Sequence, residues 1–285
     1  MATAISLQQL AVTFPGRGRQ QAVLALQPLD LEIAAARTVG VLGPNGSGKT
    51  TLLRVLAGLQ PATAGQARVL DRPPGAKDLR RRVAFQPEGP LPLGVLSAAE
   101  FLAYVGAELG LPNAESDARA RDWLERLDLG HAGRRWLRTF STGMQKRLAL
   151  AAVLLGDPEV LLLDEPTAGL DPFGCEVVMQ ILRERAAAGT TVLMASHQLL
   201  EVEELCDEVL VLQDGVMRAR GTLAELLATE EHALVVGGLD DAGLRQLESE
   251  AHRLGAEGVR IERPRHHLFA LFRQLARRRG SGGPS

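Results

Sequence analysis

The sequence predicts an α/β fold built on a mainly parallel sheet, and three stretches carry that prediction. A short apolar strand at Thr38 to Leu42 runs into a glycine-rich loop, and Thr50 to Leu59 then has the pattern of a helix. Two further apolar runs, Val160 to Leu163 and Thr191 to Ala195, are separated by a helical segment at Cys175 to Ala188. Strands that alternate with helices in this way favour parallel pairing.

The remaining elements fall on either side of this core. Residues 5–14 and 22–33 alternate apolar and polar positions around a turn at 16–21, which predicts an antiparallel β subdomain. Residues 82–85 predict one more strand. A helical pattern over 98–136, interrupted near Gly110, and a buried helix at 148–155 predict a helical insert at about residues 91–155. A helix at 199–205 and a hairpin of 208–213 with 216–220 complete a domain that we assign to residues 1–228.

Beyond residue 228 the pattern changes, and a small C-terminal αβ extension is predicted over residues 229–279. Its elements are strands at 233–236 and 259–261, a helix at 242–254 between them and a short helix at 268–276. Residues 280–285 predict a flexible tail. A role in dimer stabilisation or regulation and a role as a passive lid both remain open for this extension.

Composition excludes several classes of protein. A net charge of −2 over 285 residues gives no basic surface for nucleic acid. Cys175 and Cys206 have no metal-ligand spacing, which favours free, buried thiols in a reducing compartment. The N-terminus lacks a secretory signal, and no apolar run approaches the roughly 20 residues that span a bilayer. The chain is therefore expected in the cytosol, with any membrane role provided by a partner.

The glycine-rich loop reads Gly43-Pro44-Asn45-Gly46-Ser47-Gly48-Lys49-Thr50 and is a P-loop. Its glycines let successive backbone amides point at phosphate oxygens, at the positive end of the helix that follows. Lys49 supplies a mobile charge for the β and γ oxygens, and Thr50 supplies a hydroxyl ligand for Mg²⁺. The loop predicts nucleotide binding.

Three polar side chains follow the other two apolar strands. Asp164 ends one strand and suits a Mg²⁺ ion, while Glu165 faces differently and can polarise an attacking water. His197 follows Ser196 at the end of the next strand and is assigned to a γ-phosphate contact. Parallel strands bring their carboxyl ends to one edge of the sheet, where ligands bind, so these residues are expected beside the P-loop.

Taken in order, these residues resemble the nucleotide-binding subunit of ATP-binding cassette (ABC) transporters over roughly residues 5 to 225. By this resemblance Gly43 to Thr51 is the Walker A loop and Val160 to Glu165 the Walker B strand, with Glu165 as the catalytic glutamate. The resemblance also makes Ala168 to Asp171 the D-loop and His197 the switch histidine. Phe14 stands where the family stacks an aromatic ring on adenine, although a core phenylalanine is the alternative.

Two motifs depart from the family pattern. The signature segment reads Phe140-Ser141-Thr142-Gly143-Met144, which retains Ser141 and Gly143 for the γ-phosphate and looks like the branch paired with ABC-2-type exporters. At the Q-loop the register places Glu88 where glutamine is usual, with Gln86 as the alternative. A carboxylate there can still reach Mg²⁺ or the attacking water.

The resemblance implies an ATPase that dimerises around two ATP molecules, with Ser141 and Gly143 supplied by a second copy or a paralogous subunit. It also implies polytopic membrane permease subunits, at the cytoplasmic face of the membrane, through which substrate is exported. The alternative is a soluble single-domain ABC ATPase that acts in cofactor or cluster assembly.

Overall fold

The computed structural model describes residues 2–16, 21–227 and 240–254. Residues 1–226 form one compact unit and residues 227–285 a second. The strands of the first unit are β1 Thr3–Phe14, β2 Val23–Ala34, β3 Thr38–Leu42, β4 Ala64–Val69, β5 Val83–Gln86, β6 Val160–Asp164, β7 Thr191–Ser196, β8 Glu208–Gln213 and β9 Val216–Gly221. Its helices are α1 Lys49–Leu56, α2 Ala98–Glu108, α3 Asn113–Arg126, α4 Thr142–Leu154, α5 Pro172–Ala187, α6 Leu199–Leu205 and α7 Leu223–Leu226.

A six-stranded sheet in the order β5-β6-β7-β3-β8-β9 forms the centre of this unit. The first five strands are parallel, and β9 pairs antiparallel with β8 across the turn at Asp214 and Gly215. The predicted α/β class is confirmed. Because β3, β6 and β7 are parallel, the residues that follow them meet at one edge of the sheet.

A second, three-stranded antiparallel sheet has the order β2-β1-β4. The first two strands match the predicted pair, but β4 was not predicted. Only Val69 of β4 is buried, and the other five positions carry small or polar side chains that give no strand pattern. The hydrogen bonds to β1 therefore stabilise β4 as a strand, although its own sequence has little strand propensity.

Two apolar cores pack on opposite faces of the parallel sheet. In β6, Leu161 and Leu163 join a core with α2, α3, α4 and α5, whereas Val160 and Leu162 join a core with α1 and the antiparallel sheet. All five residues of β6 are buried, as a continuous apolar run in a central parallel strand requires. This double burial fixes where β6 ends and hence where Asp164 and Glu165 lie.

The helical insert consists of α2, α3 and α4. The break near Gly110 separates α2 from α3, as predicted, and Ser97 begins α2 with a capping box that includes Glu100. Ser141 caps α4 by accepting a hydrogen bond from the Met144 amide at 3.2 Å. Ser141 therefore sets where α4 begins within the signature segment.

In the second unit the structure describes α8, Asp241–Arg253, which matches the predicted helix at 242–254. The strands at 233–236 and 259–261, the helix at 268–276 and the tail at 280–285 lie outside the described residues. Among the residues that are described, no helix is both long and apolar enough to cross a membrane.

Candidate functional site

The P-loop joins β3 to α1, in the strand–loop–helix order that phosphate binding requires. Gly48 adopts φ +106° at the start of α1, and a Cβ there would come within 2.7 Å of the Ala25 carbonyl oxygen. Gly46 adopts φ +80°, and a Cβ there would meet no atom within 4 Å. Gly48 is thus required by both conformation and packing, whereas Gly46 faces open space on the ligand side of the loop.

Lys49 is 6% exposed and folds back over the loop. Its Nζ donates to the carbonyl oxygens of Gly43 at 2.7 Å and Pro44 at 3.2 Å. Phosphate oxygens can replace these two acceptors with stronger, charge-assisted bonds. The side chain of Ser47 is also buried, and its hydroxyl has no hydrogen-bond partner among the described residues.

Asp164 ends β6 with only 1% of its surface exposed, and neither carboxylate oxygen has a hydrogen-bond partner among the described residues. Burial raises the pKa of Asp164 above its ordinary value, and the carboxylates of Glu88 and Glu165 act in the same direction, while the neighbouring Thr50 hydroxyl opposes them. A buried, unsatisfied carboxylate beside a hydroxyl matches the oxygen ligands that Mg²⁺ prefers. The residues present therefore fit the predicted ion.

Glu165 and His197 lie in contact. The His197 Nδ1 is 2.7 Å from the Glu165 Oε2, and the glutamate side chain is 8% exposed while the histidine is 59% exposed. The two strands that carry them, β6 and β7, are direct neighbours. The imidazole therefore fixes the carboxylate, while most of the His197 side chain stays exposed.

Two buried contacts at this edge were missed from the sequence. Thr167 donates its hydroxyl to the Glu201 carboxylate on α6, and burial raises the pKa of Glu201. Lys146, on α4, donates to the main-chain carbonyl of Glu165. The one available signal was that Lys146 is among only three lysines in a chain whose other basic residues are arginine.

Ser141 and Gly143 lie at the start of α4, which packs against β5. β5 is separated from the P-loop strand β3 by β6 and β7, or roughly 14 Å at about 4.8 Å per strand. In the described residues neither Ser141 nor Gly143 has a hydrogen bond to the P-loop. Ser141 is exposed, so it is free to contact a second chain.

The two Q-loop candidates occupy different environments. Gln86 is the last residue of β5, is fully buried, and has neither side-chain amide atom paired within the described residues. Glu88 is exposed two residues later, yet its charge raises the pKa values of both Asp164 and Lys146. Gln86 pairs with Leu163 of β6, whose side chain belongs to the core formed with the helices. Assignment to Glu88 stays a prediction.

The remaining predicted residues lie on the P-loop and near it. Thr50 and Thr51 belong to the first turn of α1, and Pro44 and Asn45 to the loop. Phe14 ends β1 with 37% of its surface exposed. Its strand pairs with β2, whose Leu26 would contact a Cβ at Gly48. An exposed ring at this end of the antiparallel sheet is consistent with the predicted adenine contact.

Residues 26–168 match the family model of the ABC transporter. The chain is 38% identical over 226 residues to an uncharacterized ABC transporter ATP-binding protein of Synechocystis, and the match covers 78% of this chain but only 64% of the relative's length. It is 39% identical over 248 residues to a daunorubicin resistance ATP-binding protein of Streptomyces coeruleorubidus, covering 86% of this chain and 78% of the relative.

Solved structures give the same family. A bacterial ABC transporter cassette solved as a dimer superimposes with a TM-score of 0.68 at 26% identity, covering 77% of this chain and 98% of that one. In this chain the P-loop, Asp164 with Glu165, and His197 lie at the carboxyl ends of the parallel strands β3, β6 and β7. The chain belongs to the ABC transporter family.

Proposed function

We propose that this chain is an Mg²⁺-dependent ATPase subunit that drives export through separate membrane permease subunits of the ABC-2 type. The observation that carries the proposal is the convergence of Lys49, Asp164, Glu165 and His197 at one edge of the parallel sheet. This edge holds a phosphate cradle, an unsatisfied carboxylate for a cation, and a second carboxylate already oriented by an imidazole.

The chemistry follows from the positions of these groups. Glu165 accepts the proton of the attacking water, and His197 holds its carboxylate in place while approaching the γ-phosphate. Mg²⁺, held by Thr50 and Asp164 with Glu88 nearby, would neutralise charge on the phosphate oxygens. Lys49 exchanges the Gly43 and Pro44 carbonyls for phosphate oxygens. Phe14 stacks on the adenine.

Completion of the site requires a second chain. Ser141 and Gly143 begin a helix on the far side of β6 and β7 from the P-loop, and Ser141 is exposed. Two copies, or this chain with a paralogue, would place each signature segment on the other's ATP. The solved cassette that this chain resembles is dimeric, which supports this arrangement. ATP then favours the closed dimer because it binds the closed dimer more tightly than the open one. Hydrolysis of ATP removes this preference for the closed dimer.

Export is supported by two observations. The signature segment Phe140 to Met144 has the form seen in the ABC-2 branch, and the Streptomyces relative is described as a drug resistance protein. Permease subunits would hold this chain at the cytoplasmic face of the membrane as a peripheral subunit. In this proposal the permease subunits, and not this chain, determine which substrate is exported.

The test is a mild-detergent pull-down of the tagged Glu165→Gln chain with ATP and Mg²⁺. Recovery of a polytopic membrane protein, identified by mass spectrometry, is expected and would establish the transporter assignment. The matched control is the same preparation with Lys49→Ala added, which should not form the ATP-bound dimer. Recovery of soluble partners alone, despite a trapped dimer, would favour the assembly-ATPase alternative.

A further inference from the structure

Lys146 is a buried ammonium group at the junction between the helical insert and the hydrolytic edge. It lies in the second turn of α4, only 7% exposed, and its Nζ donates to the backbone carbonyl oxygen of Glu165. A buried lysine is rare unless it is paired. Here the acceptor is the main chain of the residue assigned as the hydrolytic base.

The surroundings of Lys146 are acidic on several sides. Burial lowers its pKa, and four carboxylates act against that effect, in decreasing order those of Glu88, Glu165, Asp164 and Glu201. These groups come from the segment after β5, from the end of β6 and from α6. The ammonium therefore lies within the field of every acidic group that we assign to the site.

The backbone of Glu165 needs such support. Its φ of +50° is left-handed, a conformation that costs a residue with a Cβ and persists only where neighbours enforce it. The Glu165 amide donates to the Ala195 carbonyl at 2.9 Å, and the Ala168 amide donates to the Glu165 carbonyl at 3.3 Å. Lys146 also donates to that carbonyl, and within the part of the chain that the structure describes it is the one charged donor on it.

We propose that Lys146 is a positioning residue for Glu165, which holds the backbone of the hydrolytic base from the helix that begins with Ser141. The proposal rests on the proposed ATPase function and adds to it a direct link, within one chain, between the signature helix and the base. In the proposed dimer, the first turn of α4 contacts the γ-phosphate of the ATP that is bound to the other chain. A movement of α4 is therefore transmitted to Glu165 through the side chain of Lys146.

The test compares Lys146→Met, which keeps an unbranched side chain one atom shorter and removes the donor, with the wild-type full chain. We expect kcat for ATP hydrolysis to fall about 10- to 100-fold, the scale of a displaced catalytic group, with KM and the Kd for ATP within about twofold. A kcat within about twofold of the wild type would overturn the proposal. So would a rise in KM and Kd with kcat unchanged, because that pattern belongs to a binding role.

Arg147→Met is the matched control on the same helix. Arg147 donates to the Leu127 carbonyl at 2.7 Å, inside the helical insert and away from Glu165. The loss of kcat should be much larger for Lys146→Met than for Arg147→Met at comparable Tm. Equal losses would mean that α4 stability, and not the contact with Glu165, explains the effect. Lys146→Gln, which keeps an N–H donor, should recover part of the rate and serves as the test if the Met variant fails to fold.

A double-mutant cycle with Glu165→Gln separates this inference from the proposed function. If Lys146 acts through Glu165, Lys146→Met should cause no further loss of residual turnover in the Glu165→Gln background. A full additive loss would overturn the positioning role. If Glu165→Gln itself hydrolyses ATP at the wild-type rate, the assignment of the base fails first. If Glu165→Gln is inactive and Lys146→Met is fully active, only the Lys146 proposal fails.

Discussion

The His197 Nδ1 lies 2.7 Å from the Glu165 Oε2, across neighbouring parallel strands. This contact joins a largely exposed imidazole to an almost fully buried carboxylate. Because a carboxylate that is held in one orientation can accept a proton from a fixed water, we predict that Glu165 acts as a base and His197 as its orienting partner.

Glu165→Gln should therefore retain ATP binding and lose turnover by about 10²- to 10⁴-fold, the range for a removed general base. The unhydrolysed ATP should then hold a dimer, visible as a larger species by size-exclusion chromatography with light scattering. Glu159→Gln is the matched control, because Glu159 precedes the same strand and pairs with Arg82 at its opposite end. Normal turnover by Glu165→Gln would remove Glu165 from the mechanism.

Lys49→Ala should weaken ATP binding by roughly 10- to 100-fold, as expected for the loss of a hydrogen bond from a charged donor worth about 1.5–3 kcal/mol. The two carbonyls that Lys49 now contacts, those of Gly43 and Pro44, lie on the loop itself and can be hydrated once the side chain is gone. Titration of a fluorescent ATP analogue measures the effect, and exposed Lys77→Ala is the control. Unchanged affinity in Lys49→Ala would contradict the P-loop assignment.

The sequence predicted this edge well because strand ends are governed by a simple rule. Apolar runs that end in Asp164 and Ser196 identify buried parallel strands, and parallel strands place the residues that follow them together. This rule does not say in which order the strands lie in the sheet. The structure supplies that order, β6-β7-β3, which brings Glu165 and His197 into contact beside the P-loop.

The elements that escaped prediction depend on distant partners. β4 has little strand propensity of its own and is ordered by pairing with β1. Lys146 looks like one more polar residue near the start of a helix, and only the fold shows that its side chain reaches the main chain of Glu165, just after β6. The Thr167–Glu201 contact joins residues 34 positions apart, one in the turn after β6 and the other on α6. Local patterns carry no signal for contacts of this kind.

Ser141→Arg should abolish hydrolysis and leave ATP binding by the single chain intact, because Ser141 is exposed and lies away from its own P-loop. The change also removes the cap on the Met144 amide, at a cost of about 1 kcal/mol in stability. Ser141→Asn can keep that cap, so it should restore Tm without restoring hydrolysis. Loss of ATP binding by a folded Ser141→Arg chain would contradict the two-chain site.

Glu88 and Gln86 can be separated by one pair of variants. Gln86→Met replaces a buried, unpaired amide with an apolar group of similar size, so it should be neutral or stabilising and leave kcat unchanged. Glu88→Ala should lower kcat and raise the Mg²⁺ concentration needed for half-maximal activity, since its charge acts on Asp164. The reverse pattern, with a kinetic defect in Gln86→Met alone, would move the Q-loop role to Gln86.

Cys175 and Cys206 are free and buried, as the sequence predicted, and their burial gives a pH dependence that can be measured. Burial raises the pKa of Cys175 from 9.0 to about 11 and that of Cys206 from 9.0 to about 12. The unfolded chain therefore loses these protons first as pH rises. Stability from both thiols is complete below pH 9 and is lost progressively between pH 9 and about pH 12.

The Cys175→Ala, Cys206→Ala double variant isolates this effect from other groups that titrate at high pH. The difference in unfolding free energy between wild type and variant, from urea melts at pH 8 and pH 10.5, should shrink at the higher pH. At pH 8 neither thiol of the folded wild type should react with a disulfide reagent, whereas both should react in urea. Rapid labelling of the native chain would show that burial does not keep the thiols protonated, because only the thiolate reacts. A stability difference that grows with pH would show the same, because loss of the thiol protons in the unfolded state must lower the stability of the wild type.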